Sequence, residues 1–172
     1  YNFGNGHKYY SGNRCEKHFN NSGTSRVAGR NMYEIKTDLL FSRSAVIENP
    51  KLTIGIPRVL NMFEEYPFWH TLFTECGISV YLSEPSDYTR YEHSARMVMS
   101  DNICFPAKLV HSHICDLQKR DVDRIFMPFV VKEQCGNGDQ NSYNCPIVTG
   151  YSAVVKSVQQ TRIPIDSPVI SF

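Results

Sequence analysis

The chain is 172 residues long, with 41% hydrophobic and 20% charged residues, which suits one well-packed domain or one domain with an extended arm. A formal net charge of +1 creates no field that would attract nucleic acid or an anionic membrane surface. No apolar run approaches the roughly 20 residues that a membrane-spanning helix needs. We therefore expect neither a nucleic-acid partner nor a membrane partner.

The two ends of the sequence and its cysteines indicate the kind of protein. The sequence begins without Met or a signal-peptide pattern and ends on the strand-like letters PVISF, so we expect a piece of a longer protein. Six cysteines without a CxxC pair are too few and too irregular for a disulfide scaffold. Reduced thiols in a cytoplasmic protein are the better expectation.

Residues 1–48 are predicted to form a loop-rich arm with one short helix. The first part of this arm is rich in Gly, Asn and Ser and shows little apolar periodicity. Residues 31–42 predict the helix, with Ile35, Leu39 and Leu40 facing inward.

The rest of the chain, residues 49–172, alternates strand and helix patterns. The predicted strands are residues 52–56, 78–82, 97–99, 123–131 and 168–172. The predicted helices are residues 62–76, 88–95, 106–120 and 146–158. Strands that alternate with helices of this length form βαβ units, so we expect an α/β domain with a parallel sheet covered by helices.

Two cysteines occupy matching places in this pattern. Cys104 precedes Phe105-Pro106 and Cys145 precedes Pro146, and each proline suits the first turn of the helix that follows. A thiol at a helix N-terminus lies at the positive end of the helix dipole, which favours the thiolate that binds metal or attacks an electrophile. Because functional groups gather where strands end and helices begin, these two cysteines mark a candidate site.

The residues by themselves leave the role of these thiols open. Cys104, Cys145 and Cys15 together could hold an iron–sulfur cluster, or each could be a small buried hydrophobic residue. Cys135, in a polar loop, is either a fourth ligand or an exposed thiol.

Four further side chains are candidates for the same site. His111 and His113 are acid–base candidates, but positions two apart on a helix point in different directions, so at most one of them faces a shared site. Lys108 and Arg58 could bind phosphate near helix N-termini, although a solvated role is more common for such cations.

Three motifs in combination identify a family. They are IGIPRVLNM at residues 54–62 with YPFWH close behind it, ICFPAKLVHSHI around Cys104, and YNCPIV around Cys145. Together they resemble the 2-hydroxyacyl-CoA dehydratase group, in particular the domain found in large activase proteins of those dehydratases, related to the benzoyl-CoA reductase machinery. The resemblance covers the chain from about residue 11 to its end.

The resemblance implies a cytoplasmic, oxygen-sensitive protein of anaerobic metabolism, built from flavodoxin-like α/β lobes. It implies a [4Fe–4S] cluster with Cys104, Cys145 and Cys15 as ligands, which would leave one iron open to water, sulfide or a substrate oxygen. Cys135 is not part of the family pattern, and a fourth ligand there would close the cluster and suit it to electron transfer.

The cluster hypothesis assigns candidate roles to nearby residues, and the resemblance implies partners. Arg58, Lys108 and His111 would hydrogen-bond the cluster or anchor an anionic ligand, which raises the cluster potential. The sequence has no ATP-binding glycine motif, so the ATPase domain of such a protein would lie elsewhere in the same polypeptide. An acyl-CoA substrate or a redox partner is implied as well.

Three hypotheses of different classes follow, and whether the chain is itself an enzyme is left open. The leading one is an iron–sulfur domain for low-potential electron transfer, or for dehydration or reduction of a CoA thioester. The second is a non-catalytic structural or interaction domain with unligated or zinc-binding cysteines. The third is a thiol enzyme with Cys104 as nucleophile and His111 as base.

Overall fold

A computed structural model describes residue 6 and residues 30–44, 47–136, 138 and 141–172 of this chain. Residues 37–172 form one compact unit, and the features below belong to it, apart from the beginning of the first described helix. Cys15 and most of the predicted arm lie outside the described residues. The loop-rich character of the arm and its boundary at residue 48 therefore stay predictions.

Helices and strands alternate along the described chain, as the sequence pattern predicts. The helices are α1 (Met32–Phe41), α2 (Met62–Glu75), α3 (Tyr88–Ser94), α4 (Phe105–Leu117) and α5 (Pro146–Val158). The strands are β1 (Thr53–Ile56), β2 (Ser79–Leu82), β3 (Arg124–Phe126), β4 (Phe129–Lys132), β5 (Ile165–Asp166) and β6 (Val169–Ser171). A 3-10 turn, Ala95–Met97, continues α3.

Four strands form a parallel sheet in the order β2-β1-β3-β5. Helix α2 connects β1 to β2, whereas α4 and α5 precede β3 and β5. The predicted α/β class, a parallel sheet flanked by helices, is confirmed. The order β2-β1-β3 is also the one with which flavodoxin-like sheets begin, and such sheets bind ligands beyond the carboxyl ends of their strands.

The predicted strand at residues 123–131 is two strands, β3 and β4, because Pro128 lies between them. Pro168 separates β5 from β6 in the same way. Proline has no N–H to donate and therefore interrupts a strand. The pairing continues beyond the break, where Phe129 lies opposite Val169 in parallel register and its N–H donates to the Pro168 carbonyl at 2.9 Å.

Hydrophobic residues of alternating orientation build one core on each face of the sheet. On one face, Ile54 and Ile56 of β1 pack with side chains of α2. On the other face, α4 and α5 share a second core with Ile125 of β3. Gly55 faces this second core, and a Cβ built there would lie 3.1 Å from a methyl carbon of Leu117. The absent side chain lets the end of α4 approach β1 closely.

Two local predictions are wrong. Residues 97–99 do not form a strand, because Met97 ends the 3-10 turn and contacts α4, with its Sδ 3.9 Å from Cys115 Sγ. In α1, Leu39 does not face inward but is 70% exposed. Phe41 makes the inward contacts of this segment instead, with its ring centre 4.8 Å from that of Phe63.

Candidate functional site

Cys104 and Cys145 begin α4 and α5 with matching backbone geometry. Their φ and ψ angles are −61° and 149° at Cys104, and −64° and 153° at Cys145. Each is the N-cap residue of its helix, with a proline in the first turn, which confirms the predicted helix starts. Neither side chain caps its helix, and both thiols are free and exposed. Both are therefore accessible to a ligand.

The two thiols lie toward the same edge of the sheet. Helix α4 leads back to the start of β3 and α5 to the start of β5, so the first turn of each lies at the carboxyl ends of the strands. Ile103 and Ile147, close to the two cysteines in sequence, pack against one core cluster. The pKa of Tyr151, in the second turn of α5, is raised by burial and further by the charge of Cys104. The charge of Cys104 is therefore felt at Tyr151.

The other two predicted ligands contribute differently. Cys135 is exposed in the loop between β4 and α5, and its thiol donates to Ser142 Oγ at 3.2 Å. Cys15 lies outside the described residues. Within residues 30–44, 47–136 and 141–172, no three His, Cys, Asp or Glu side chains are grouped so that they could hold a metal ion. The described part of the chain therefore offers exposed thiols but no complete ligand set.

The segment before Cys145 is fastened by side-chain hydrogen bonds. Asn144 donates to the Glu133 carboxylate at 2.7 Å and to the Val130 carbonyl at 3.2 Å. Its backbone N–H donates to the Val131 carbonyl at 3.0 Å. These bonds hold the beginning of α5 to the end of β4.

The two predicted cations occupy different settings. Lys108 donates from Nζ to the Asp101 carbonyl at 2.7 Å and so ties α4 to the loop before it. Arg58 follows β1, and its guanidinium carbon lies 3.8 Å from the centre of the Phe41 ring. Burial lowers the pKa of Arg58, while the charge of Glu84 opposes that shift. Whether either residue serves a cluster stays a prediction.

His111 is fully buried between α4 and α5. Its Nε2 lies 3.1 Å from the Tyr151 hydroxyl. Gln159 Nε2 donates to the His111 carbonyl at 3.3 Å. Burial lowers the pKa of His111, and an interaction with the Gln159 side chain opposes that shift. The imidazole thus joins the two helices from inside the core.

His113 faces the opposite way, toward the loop that follows β2. Its Nδ1 lies 2.7 Å from Ser83 Oγ, and its Nε2 lies 2.8 Å from Ser86 Oγ. Burial lowers the pKa of His113 to about 4, with Arg58 and Arg90 adding to that effect and Asp116 opposing it. The two histidines do point in different directions, as their spacing predicts, and both are buried. The two serines are not among the predicted site residues, and their signal in the sequence is a Ser-x-x-Ser pair directly after a strand.

A cleft of about 320 Å³ opens beside this histidine, between the loop after β1 and the beginning of α4. Arg58, Glu64 and Ser86 are the polar residues of its lining, and Phe63, Pro106 and Leu109 are among its apolar residues. Ser86 and Leu109 also line a smaller recess of about 160 Å³, which reaches Tyr88 and Phe105. Both cavities adjoin the carboxyl ends of β1 and β2, where α/β proteins bind ligands.

Comparison with known proteins gives one match. A family described as CoA enzyme activase uncharacterised domain (DUF2229) matches residues 53–172. The chain belongs to this family. The match begins at β1 and includes both cysteine-led helices, so the predicted relation to CoA-substrate activases is confirmed. No curated protein and no solved structure matches the chain.

None of the helices among the described residues is both long and apolar enough for a membrane span. The two helices that begin at the candidate cysteines, α4 and α5, have 13 residues each.

Proposed function

We propose that this chain is an iron–sulfur domain of a CoA-activase-related protein, with Cys104 and Cys145 as ligands of a [4Fe–4S] cluster. Its family membership supports the connection to CoA-substrate enzymes. The observation that carries the proposal is the pair of exposed thiols at matching N-cap positions of α4 and α5. Cys15 is the proposed third ligand, and Cys135 is the candidate for a fourth.

The donor set fits such a cluster chemically. Iron–sulfur clusters are held by cysteine thiolates, and the positive end of a helix dipole stabilises a thiolate at its N-terminus. A bound cluster would supply low-potential electron transfer or an open iron for dehydration of a CoA thioester. Lys108 would hold the loop before Cys104 in place through its bond to Asp101, and Asn144 would do the same before Cys145.

The proposal includes the setting of the domain. The chain would act in the cytoplasm and take part in anaerobic metabolism, next to an ATPase domain of the same polypeptide. Its partner in the reaction would be an acyl-CoA substrate or a redox protein.

Anaerobic reconstitution with iron and sulfide tests the proposal. We expect about four iron atoms per chain and a cluster signal in electron paramagnetic resonance after reduction. Cys104→Ala and Cys145→Ala should each lower the iron content severely. Cys76→Ala is the matched control, because Cys76 is also exposed but lies at the end of α2, at the opposite edge of the sheet. Equal iron in all four proteins would contradict the proposal.

Two further variants determine the ligand set. Cys15→Ala should lose iron if this residue is the third ligand. Cys135→Ser should keep iron if the cluster has three protein ligands, and should lose iron if it has four.

A non-catalytic interaction domain is the second candidate function. The described residues contain no group of three metal-binding side chains, which favours this alternative. It predicts that the anaerobically prepared protein binds no iron and that Cys104→Ala leaves the melting temperature unchanged. Zinc in place of iron, lost in the same variant, would indicate the zinc-binding form of this candidate.

A further inference from the structure

We propose that the cleft between the β1–α2 loop and the beginning of α4 binds a small organic acid, with its carboxylate on Arg58 and Ser86 and its short apolar chain against Phe63, Pro106 and Leu109. This assignment does not depend on a cluster at Cys104. It rests on the hydrogen-bond directions around His113, on the contacts of the Arg58 guanidinium group, and on the size and lining of the cleft.

The first step concerns the hydroxyl proton of Ser83. Ser83 is 1% exposed, and its Oγ accepts the backbone N–H of Arg58 at 2.8 Å. Buried hydroxyl groups require partners for their protons, and His113 Nδ1, 2.7 Å away, is the acceptor in reach. Ser83 therefore donates to Nδ1.

The second step follows from the charge of the imidazole. His113 is neutral at pH 7, because its pKa lies at about 4, so the ring carries one proton. With Nδ1 accepting from Ser83, that proton lies on Nε2 and is donated to Ser86 Oγ at 2.8 Å. The hydroxyl proton of Ser86 is then left for another acceptor. Since Ser86 is exposed and lines the cleft, it offers a hydrogen-bond donor there.

The third step concerns Arg58. Its guanidinium group lies over the rings of Phe41 and Phe63, with its carbon 3.8 and 5.9 Å from the two ring centres. None of the ion pairs found among the described residues involves Arg58. An arginine held by aromatic rings keeps its N–H groups available for an oxyanion, which it can bind through two parallel hydrogen bonds.

The lining defines the rest of the ligand. Arg58 and Ser86 both donate, so the bound group presents acceptors and negative charge. The lining also contains the carboxylate of Glu64, which interacts with another residue, so we place the negative charge of the ligand on Arg58 and Ser86 and not beside Glu64. The remaining wall is apolar, and about 320 Å³ is at the small end of ligand pockets, which suits a short chain better than a whole nucleotide or coenzyme. A carboxylate on a short hydrocarbon chain matches both halves of this cleft.

Titration of the full chain with butyrate, followed by amide chemical shifts in NMR spectra, tests the assignment. We expect saturable shifts at Arg58, Ser86 and Leu109. Butyramide, which has the same shape without the charge, should bind at least about tenfold more weakly, since the charge-assisted hydrogen bonds are lost. Inorganic phosphate carries the charge without the apolar chain and should also bind more weakly than butyrate.

Variants then assign the two donors. Arg58→Gln should weaken butyrate binding at least about tenfold, and Ser86→Ala by about threefold to tenfold. Arg162→Gln is the matched control, because it removes the same charge from an exposed position before β5, at the opposite edge of the sheet. Arg58→Lys keeps the charge without the planar fork, so a loss of binding in this variant with an unchanged melting temperature excludes unfolding as the cause.

Several results would overturn the assignment. Butyrate that causes no saturable shifts in the wild-type chain, or that binds equally to wild type and Arg58→Gln, would remove Arg58 as the anion ligand. Equal binding of butyramide would show that no charge is recognised. Equal binding of phosphate would show that the apolar wall takes no part. Each of these outcomes can arise whether or not the chain binds iron, so this test and that of the cluster fail independently.

Discussion

The beginnings of α4 and α5 have the same local geometry, but different interactions hold the two helices in place. Behind Cys104, α4 buries both of its imidazole rings, and each has a hydroxyl partner from elsewhere in the chain: His113 on both ring nitrogens, and His111 on Nε2, while its Nδ1 has no partner among the described residues. Behind Cys145, α5 buries Tyr151 and Ser152, and within the described residues Ser152 Oγ has no hydrogen-bond partner.

This difference shows that a cysteine and a proline determine where a helix begins but not how firmly it is held. Polar contacts in the interior are costly to break because a lost partner leaves a desolvated group unpaired. Partly exposed contacts, such as those of Asn144, can be replaced by water more easily. We therefore expect α4 to be the more sensitive of the two helices to single substitutions.

The largest expected effect is that of His113→Ala. The substitution leaves a cavity and removes the acceptor of the buried Ser83 hydroxyl, so we expect a loss of about 4 kcal/mol in the free energy of unfolding. Urea denaturation measures it. Ser152→Ala is the comparison on α5, and it should change stability by less than about 0.5 kcal/mol, because the hydroxyl that it removes has no partner in the part of the chain that the structure describes. Equal losses of unfolding free energy in the two variants would contradict the expectation that α4 is the more sensitive helix.

The next effect in size is the dependence of stability on pH. Burial lowers the pKa of His113 in the folded chain to about 4, below the ordinary value of 6.5. The folded state therefore disfavours protonation, and this contribution to stability is fully present above pH 6.5 and is lost as the pH falls toward 4. The shift corresponds to about 3 kcal/mol.

The matched variant for this measurement is His113→Gln, which cannot be protonated at that position. Urea denaturation at several pH values between 7 and 4 should give a shallower decline in this variant than in the wild type. His70 and His111, whose pKa values are also lowered by burial, contribute in both proteins. Parallel declines in the two proteins would mean that His113 has the same pKa in the folded and the unfolded chain.

Tyr151→Phe tests the contact that joins the two helices. The substitution keeps the aromatic ring but removes the hydroxyl 3.1 Å from His111 Nε2, so that neither nitrogen of the buried ring has a partner among the described residues. We expect a loss of about 1.5 kcal/mol in unfolding free energy, measured by urea denaturation. Tyr143→Phe, which removes a hydroxyl from an exposed tyrosine, should leave stability unchanged. No loss in Tyr151→Phe would mean that water or another group satisfies the imidazole.

The smallest expected effect concerns the segment before Cys145. Asn144→Ala removes hydrogen bonds to Glu133 and Val130 at the partly exposed end of β4, so we expect a loss of about 1 kcal/mol. Amide hydrogen exchange should become faster around Cys145 and stay unchanged around Cys104. A uniform change along both helices would indicate global destabilisation instead of a loosened helix start.

Much of the fold can be predicted from local patterns. β1, α2, β2 and both cysteine-led helices occupy nearly the predicted residues, because apolar periodicity and proline act over a few neighbouring positions. The strand predicted at residues 97–99 is wrong for the same reason. Three apolar residues satisfy a local strand pattern, but whether a sheet position exists for them depends on the rest of the chain.

The sequence by itself determined that the chain is α/β and that two thiols begin helices. Both follow from the alternation of strand and helix patterns and from the place of proline after Cys104 and Cys145. Only the tertiary structure decided which polar groups meet. Ser83, Ser86 and Arg58 come from two separate strand ends, and His113 joins them from α4, because the parallel sheet brings the carboxyl ends of β1 and β2 together. Contacts between residues that lie 25 to 30 positions apart depend on that topology, which no local pattern specifies.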